Sequence, residues 1–332
     1  RLAEMVGISG WDIRKQNVIH PGEVWGPGQI MDDGCLGAEE CLDTIKPAYD
    51  KAISEGKAVG LGLGLKNSGL GNGFREVTRA VIHFRNDGLV EVRHGWTEMG
   101  QGVHTVALQV AVEELAIDPA SIRVIVDTTR QLGFGQTTGS RGTLMAAASV
   151  REACLKANEG GRQVGVDYMG EYVVDWTQHL GEPGVVNPTI HSAFGYAAQL
   201  VVMDKETQAI EKVVAVHDVG KAVNPTLCEG QIEGAVHMGL GYALTEDFPS
   251  DENGFPTNMT LRSLGIIRPK DMPPIDVIMV ECPQPRSPYG IKGVGEIGLV
   301  PTAPAVAAAL HAADGIWRTR LPMKPKTSDT AD

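Results

Sequence analysis

Apolar residues along the chain recur with two different periods, and each period predicts a different kind of element. Spacings of three and four residues predict helices, which we place at residues 42–54, 103–115, 144–157, 225–244 and 302–312. Alternation and short apolar runs predict strands, which we place at residues 58–65, 79–84, 89–93, 122–126, 197–203, 210–216 and 276–280. Helices and strands mix without a regular strand–helix–strand rhythm, so the pattern favours an α+β architecture over a doubly wound sheet.

Turn residues between these elements predict how they connect. Asn-Asp-Gly at residues 86–88 and Asp-Lys-Glu-Thr at residues 204–207 each predict a hairpin. Asn224 followed by Pro225 combines a capping residue with proline at the first helical position, which predicts the start of the longest helix. Glycine and leucine alternate over residues 58–65, as is typical of a strand in close contact with other backbone.

A stretch rich in glycine and proline at residues 158–190 has little periodicity. We interpret it as a linker and expect two lobes, residues 1–160 and residues 161–332. The chain starts at Arg1 with what reads like the middle of a helix, so we expect the first lobe to be truncated at its N-terminal side. Residues 19–28, full of proline and glycine, predict a covering loop.

Composition and charge exclude several classes of partner. The 332 residues carry a formal net charge of −12, from 29 basic and 41 acidic residues, which disfavours binding to nucleic acid or to an anionic membrane. No apolar run approaches the roughly 20 residues of a membrane span, so we expect a cytoplasmic protein. Five cysteines without a C-x-x-C pair predict neither a disulfide framework nor a metal site.

Glu296 is the strongest catalytic candidate, because it stands among glycines just before the last predicted helix. Gly293 and Gly295 allow a bulky ligand to come close to the backbone. A lone glutamate in such a wall should have little water around it and a tuned basicity, which suits a general base. The alternative is a carboxylate that caps or flanks the following helix.

Gly293, Gly295 and Gly298 also spell G-x-G-x-x-G, the dinucleotide fingerprint, with Asp314 at a suitable distance downstream. Such a loop should follow a buried strand, yet the preceding residues 282–288 are rich in proline. A nicotinamide-dependent dehydrogenase is therefore the weaker alternative.

Three further runs of polar residues and glycine each lie at or inside a predicted helix start. Helix N-termini favour anions, and the hydroxyls and guanidinium of the run at residues 136–143 suit phosphate. Gln101 and Gln231 add amides, although a lone glutamine more often satisfies loop backbone. The residues of interest in these runs are Gly100, Gln101, Gly102, Thr138, Gly139, Ser140, Arg141 and Gln231.

Taken in order, these runs and Lys292-Gly293-Val294-Gly295-Glu296 resemble the molybdopterin-binding half of the xanthine dehydrogenase/aldehyde oxidase family of molybdenum hydroxylases. His217-Asp218-Val219-Gly220 adds to the similarity. The ending, residues 301–304 and 318–324 with Lys324 last, looks most like bacterial xanthine dehydrogenases of the selenium-dependent type.

The resemblance implies hydroxylation of an electron-poor carbon of an N-heterocycle, a purine such as xanthine, with oxygen derived from water. Glu296 would be the general base, and the pterin dithiolene rather than any protein ligand would hold the molybdenum. Gln101 would lie by the pterin, Gln231 near the metal, and Gly139, Ser140, Arg141 and Lys292 at the pterin or its phosphate. The full set of implied cofactor contacts is Gly100, Gln101, Gly102, Thr138, Gly139, Ser140, Arg141, Gln231, Lys292, Gly293 and Gly295.

The resemblance also implies partners. The cofactor would be molybdenum–molybdopterin, with the cytosine dinucleotide form among the options, and iron–sulfur clusters and FAD would belong to other domains or subunits. The upstream half of the molybdopterin-binding region would complete the site, so we expect no turnover by this chain alone. The alternative is a non-catalytic or fragmentary subunit that completes the active site of a partner.

Overall fold

The computed structural model describes residues 1–133 and 137–323 of the chain. Gln136 and Lys324, which belong to two of the sequence motifs, lie outside the described residues. The α-helices of the described part are α1 (Leu2–Val6), α2 (Gly10–Gln16), α3 (Leu36–Ser54), α4 (Val103–Leu115), α5 (Gly142–Glu159), α6 (Pro225–Leu244) and α7 (Thr302–Asp314). Its strands are β1 (Ala58–Ser68), β2 (Glu76–Phe84), β3 (Val90–His94), β4 (Ile122–Val126), β5 (Asp167–Val174), β6 (Ala193–Met203), β7 (Ile210–Asp218) and β8 (Ile275–Val280).

These strands form two mixed sheets of four strands each. The first sheet has the order β1-β6-β7-β8, in which β7 and β8 are parallel and the other pairs antiparallel. The second has the order β4-β3-β2-β5, in which β3 and β4 are parallel and the other pairs antiparallel. Mixed sheets with helices packed on them confirm the predicted α+β architecture.

Both predicted hairpins and the predicted start of α6 are present. Phe84 pairs with Val90 across the first turn, and Met203 pairs with Ile210 across the second. Asn224 caps α6, because its side chain accepts a hydrogen bond from the backbone N–H of Leu227 at 3.0 Å. The local turn and capping chemistry was therefore a sufficient guide to these connections.

Glycines on one face of β1 let the start of α7 lie directly on the strand. A Cβ atom added to Gly60 would lie 1.9 Å from the carbonyl oxygen of Ala305, and one added to Gly62 would lie 2.2 Å from that of Pro301. Alternate residues of a strand share a face, so Gly60 and Gly62 belong to one row. The glycine–leucine alternation thus marks a close backbone contact, as predicted.

Helices cover both faces of the first sheet. Helix α3 packs on one face, against residues such as Tyr196 and Leu200 of β6. Helices α6 and α7 pack on the other face, against Val201 and Met203 of the same strand. Helices α4 and α5 pack on the second sheet. Full burial of one large aliphatic side chain stabilises the fold by about 1.5–3 kcal/mol. These clusters therefore hold the helices on the sheets, and with them the ends of the loops between these elements.

The stretch at residues 158–190 contains β5, which pairs with β2 from Asp167 to Val174. The interpretation of this stretch as a linker is wrong at β5, where alternate residues face water and no apolar run forms. Gly170 lets the strand lie against α5, since an added Cβ would be 2.2 Å from the backbone nitrogen of Ala153. Each sheet combines strands from both sides of residue 160, and the lobes at residues 1–160 and 161–332 stay a prediction.

The chain between β8 and Gly293 contains only a 3₁₀ turn, Pro288–Gly290. Gly293 therefore does not follow a buried strand, and the dinucleotide fingerprint lacks the context that it requires. No helix among residues 1–133 and 137–323 combines the length and the apolar character that a membrane span needs.

Candidate active site

A pocket of about 310 Å³ brings together most of the residues that the sequence motifs single out. Its walls come from the starts of α4, α5 and α6 and from the loop that precedes α7. The predicted residues that line it are Gln101, Thr138, Ser140, Arg141, Gln231, Lys292, Gly293, Gly295 and Glu296. Gly100, Gly102 and Gly139 do not line the pocket and instead shape its loops, where all three have positive φ angles.

Glu296 is held at the pocket wall by two other side chains. Its Oε2 accepts a hydrogen bond from the Ser140 hydroxyl at 2.6 Å and lies 3.1 Å from the Lys66 ammonium. Its backbone N–H donates to the Ser140 hydroxyl oxygen at 3.0 Å. Helix α7 begins at Thr302, and no side chain in the described part of the chain caps it, so Glu296 does not act as its cap. The paired contacts with Ser140 fix the carboxylate relative to α5.

The expectation of a water-poor glutamate is not met in this chain. The side chain of Glu296 is 47% exposed, and among the described residues only Ser140 and Lys66 form a hydrogen bond or an ion pair with its carboxylate. The remaining side of the carboxylate faces the open pocket. A ligand or a partner that covers the pocket would have to supply the desolvation that a tuned general base requires.

Ser140 reaches Glu296 because Gly293 has no side chain. A Cβ on Gly293 would lie 2.1 Å from the carbonyl oxygen of Ser140 and 2.5 Å from its Cβ. The backbone N–H of Gly293 donates to the Ser68 hydroxyl at 2.8 Å, which fixes the loop on β1. Ser140 itself has a φ of +51°, so its position depends on these contacts.

We expect Gly293→Ala to lower the free energy of unfolding by about 1–3 kcal/mol, because the added methyl must push Ser140 away from Glu296. Gly295→Ala is the matched control, since its added Cβ would only meet the Ser140 hydroxyl at 3.6 Å. Urea unfolding of both variants is the measurement. Equal losses in the two variants would contradict this explanation of Gly293.

The N-terminus of α4 holds an anion from the chain itself. The Glu98 carboxylate accepts hydrogen bonds from the backbone N–H groups of Gly100 at 2.8 Å, Gly102 at 2.9 Å and His104 at 3.2 Å. Burial raises the pKa of Glu98, but the hydrogen bonds from Gly102, His104 and Gly100 outweigh that effect and lower the pKa overall. The prediction that this helix start would attract an external anion is therefore wrong, because Glu98 already occupies it.

We expect Glu98→Ala to lower the free energy of unfolding by about 1–2 kcal/mol at pH 7, the loss typical of a helix cap. The lowered pKa means that this stabilisation is complete above the unfolded-state value of about 4.3 and disappears as the pH falls through the lower folded-state value. Denaturant titrations at several pH values should therefore show the variant and the wild type converging in acid. Glu113→Ala, on the exposed face of α4, should change stability by less than about 0.5 kcal/mol.

The two predicted glutamines differ in what their amides do. The Oε1 of Gln101 accepts from the backbone N–H of Met99 at 2.6 Å, and its Nε2 donates to the carbonyl oxygen of Thr97 at 2.7 Å. Gln101 thus satisfies its own loop, which is the common fate of a lone glutamine. Gln231, on α6, lines the pocket, and no other residue in the described part of the chain hydrogen-bonds its amide. Of the two, Gln231 is the one that presents unused amide groups to a ligand.

The two cations predicted to contact phosphate are both paired inside the protein. Arg141 donates to the Glu76 carboxylate at 2.7 Å, in a pair that is almost completely buried. Lys292 pairs with Asp218 in full burial and also donates to the carbonyl oxygen of Gly34 at 2.6 Å. Their charges are therefore compensated within the chain, and both residues connect the pocket wall to the core.

The start of α5 differs from the other two helix starts. Asn224 caps α6 and the Glu98 carboxylate occupies the start of α4, whereas α5 begins after Arg141 without a side-chain cap from any residue that the structure describes. Gly142 and Thr143, the first residues of α5, line the pocket. Free N–H groups at a helix N-terminus favour a bound anion, so this wall can receive one.

Sequence reasoning missed four residues that organise this site. Lys66 and Glu76 lie on strands and contact residues far away in sequence, Glu296 and Arg141. Glu98 stands inside a motif whose pattern predicts no role for it, and the pattern around Asp218 is typical of a turn or cap residue. A lysine directly after an apolar strand pattern, Lys66 after Leu65, was the signal that could have found the first of them.

A family model described as a molybdopterin cofactor-binding domain matches residues 42–173 and 161–273. The gamma subunit of the 6-hydroxypseudooxynicotine dehydrogenase complex of Paenarthrobacter nicotinovorans is 29% identical, over 97% of this chain and 47% of that protein. A probable xanthine dehydrogenase subunit of Bacillus subtilis is 27% identical, over 97% of this chain and 49% of that protein.

A solved structure is also similar. The aldehyde oxidoreductase from Desulfovibrio desulfuricans superimposes with a TM-score of 0.87 at 27% identity, over 98% of this chain and 38% of that chain. The chain thus spans about half, or less than half, of the length of the proteins that it matches.

Proposed function

Because the chain belongs to the molybdopterin cofactor-binding domain family of the molybdenum hydroxylases, we propose that its pocket forms one wall of a hydroxylase active site in which Glu296 is the general base. The observation that carries this proposal is the position of Glu296. Its carboxylate stands at the wall of the same pocket into which the uncapped start of α5 opens.

The groups around the pocket fit a pterin that carries a phosphate. Backbone N–H groups of Gly142 and Thr143 would hold the phosphate, because no side chain among residues 1–133 and 137–323 caps the start of α5. The Gln231 amide offers both a donor and an acceptor, and the Thr138 hydroxyl lies on the same wall. Arg141 and Lys292 would contribute through the backbone that they fix rather than through free charges.

The cofactor, when bound, would supply the metal that takes up electrons. It would also supply the oxygen that derives from water. This chain supplies the base. The Oε2 of Glu296 is held by the Ser140 hydroxyl, which leaves Oε1 free to accept a proton during the reaction. Gln231 would orient polar groups near the metal, and Gln101 would keep the α4 loop in shape for the pterin. The covered pocket would exclude water from the carboxylate.

The proposed substrate is an electron-poor N-heterocycle, with a purine such as xanthine as the first choice. The support is the name of one relative, which refers to xanthine. Two relatives are described as subunits, and we propose an upstream molybdopterin-binding half, an iron–sulfur subunit and an FAD subunit as partners. The cytoplasmic location and the likeness of the ending to selenium-dependent enzymes stay predictions.

Oxygen labelling tests this function. The chain, co-expressed with an upstream half and its electron-transfer partners, should hydroxylate xanthine in ¹⁸O-water with incorporation of one labelled oxygen. An aliphatic aldehyde should serve as the comparison substrate. Molybdenum-loaded protein that oxidises neither compound, or that takes its oxygen from O₂, would contradict the proposal.

A further inference from the structure

Lys66, near the end of β1, is the second side chain that contacts the carboxylate of Glu296. Its ammonium lies 3.1 Å from Oε2, the oxygen that also accepts the hydrogen bond from Ser140. Within residues 1–133 and 137–323, no group hydrogen-bonds Oε1 and no second cation lies within ion-pair distance of Glu296. The two oxygens of the carboxylate are therefore in different situations.

The geometry of β1 places Lys66 next to Glu296. Alternate residues of β1 share a face, so Lys66 continues the row of Gly60, Gly62 and Gly64. Added Cβ atoms on these glycines would meet Ala305, Pro301 and Val300 in turn, so the chain from Glu296 into α7 runs along this row. The first position of the row with a long side chain lies opposite the glutamate.

Two further contacts fix the arrangement. The Lys66 ammonium donates to the carbonyl oxygen of Asn67 at 2.8 Å, and its side chain is only 22% exposed. Lys66 pairs in register with Gly195 of β6, and a Cβ on Gly195 would lie 2.9 Å from the carbonyl oxygen of Gly293. The absence of a side chain at Gly195 lets the loop of Glu296 lie beside Lys66.

We propose that Lys66 is a positioning residue for the general base, an inference that rests on the proposed function. Together with Ser140 it holds Oε2, so that Oε1 is the atom that takes the proton. The proton leaves Oε1 to water when the pocket is next uncovered, and it does not pass through Lys66. The attraction between the Lys66 ammonium and the carboxylate grows about fourfold when the effective dielectric constant falls from about 80 to about 20, as in a covered pocket.

Stability of the fold is not the main role of this pair. Exposed ion pairs contribute little to stability, and Lys57 forms a comparable pair with Glu211 at 2.6 Å just before the same strand. Lys57 lies at the other end of β1, away from the pocket residues. The two lysines differ in place rather than in chemistry, so Lys57 is the matched control.

The geometry can be tested without activity or cofactor. A water-soluble carbodiimide joins an amine and a carboxylate that are in contact, without a spacer. In the intact chain we expect peptides linked through Lys66 and Glu296, and also through Lys57 and Glu211, to appear in the mass spectrum. A link at the Lys57 pair without one at Lys66 would overturn the inference.

The role can be tested in the assembled enzyme, with rates normalised to bound molybdenum. We expect Lys66→Ala to lower kcat about tenfold with KM within about twofold of the wild type, the loss expected for one charge-assisted contact. Lys66→Arg should retain most of kcat, ethylammonium should restore part of it to Lys66→Ala, and Lys57→Ala should behave as the wild type. If Lys66→Ala keeps the full kcat while Glu296→Gln is inactive, the role of Lys66 is contradicted and the proposed function stands. If Glu296→Gln is active, the proposed function itself is contradicted.

Discussion

Glu296→Gln is expected to reduce turnover by the assembled enzyme by about 10²–10⁴-fold, the contribution typical of a positioned general base. Glutamine keeps the size of the side chain and an oxygen that can accept from the Ser140 hydroxyl, which donates at 2.6 Å in the wild type. It cannot take up a proton at neutral pH. The variant should therefore fold and bind molybdenum normally, and lose only the chemical step.

The measurement is steady-state kcat together with the rate of enzyme reduction by substrate under anaerobic conditions. Glu113→Gln, a glutamate on the exposed face of α4, is the control and should retain wild-type rates. A loss of only a few-fold in Glu296→Gln would remove Glu296 from the role of base. Loss of molybdenum from the variant would instead indicate a structural role in holding the cofactor.

Lys292→Met is expected to lower the free energy of unfolding by about 3–5 kcal/mol, a larger loss than for Gly293→Ala or Glu98→Ala. The variant leaves the Asp218 carboxylate in the core without its cation, since both side chains are completely buried. Asp218 also accepts from the backbone N–H groups of Gly220 at 3.0 Å and Cys282 at 3.2 Å. The pair therefore joins the end of β7 to the loop that carries Glu296.

A double variant separates the pair from the cost of an unpaired charge. Lys292→Met with Asp218→Asn should recover much of the lost stability, because no buried charge is then left alone. Burial raises the pKa of Asp218, and the Lys292 ammonium opposes that rise. In Lys292→Met this opposition is gone, and a raised folded-state pKa means stability that is lost as the pH rises, so the deficit should shrink in acid.

Urea titrations of the wild type and the variants at pH 5 and pH 8 are the measurement. Lys46→Met, which breaks an exposed pair with Asp50 on α3, should cost at most about 1 kcal/mol. If Lys292→Met lowers the free energy of unfolding no more than Lys46→Met does, the pair of Lys292 with Asp218 does not hold the loop of Glu296. If the double variant is as unstable as the single one, the hydrogen bonds of Asp218 matter more than its charge.

Local signals in the sequence predicted much of the fold. Helix α4 and strand β4 occur at the predicted residues, because Gly102 and the apolar spacing mark α4, and a short apolar run marks β4. Asn224 marks the start of α6 in the same way. These features depend on residues within one or two turns, where capping and periodicity decide the structure.

Contacts between distant segments could not be predicted in this way. Pairing of β1 with β6 and the ion pair of Lys66 with Glu296 depend on how the elements pack. For the same reason the motifs predicted a ligand contact for Arg141 and Lys292, while the structure pairs them with buried carboxylates of the chain itself. The motif predicted that a cation stands at each of these positions. It could not predict the carboxylate that pairs with the cation, because that carboxylate comes from another part of the fold.

The structure brings several of the predicted site residues together, while their roles stay predictions. The motifs around Gln101, Ser140, Gln231 and Glu296 are far apart in the chain, yet all four residues line one cavity. The order of these motifs along the chain resembles that in a known family, and this order was more informative than any single motif. The prediction that Glu296 has low exposure is wrong for this chain, because its exposure depends on what covers the pocket.

Molybdenum content decides whether this pocket belongs to a molybdopterin site. Metal by mass spectrometry and pterin by fluorescence should be measured in this chain alone and after co-expression with a candidate upstream half. We predict close to one molybdenum per complex in the pair and little in the chain alone, because the pocket is open in this chain and leaves Glu296 47% exposed. A correctly folded pair without molybdenum or pterin would contradict the assignment of this pocket to the cofactor, and would favour a subunit without catalytic function.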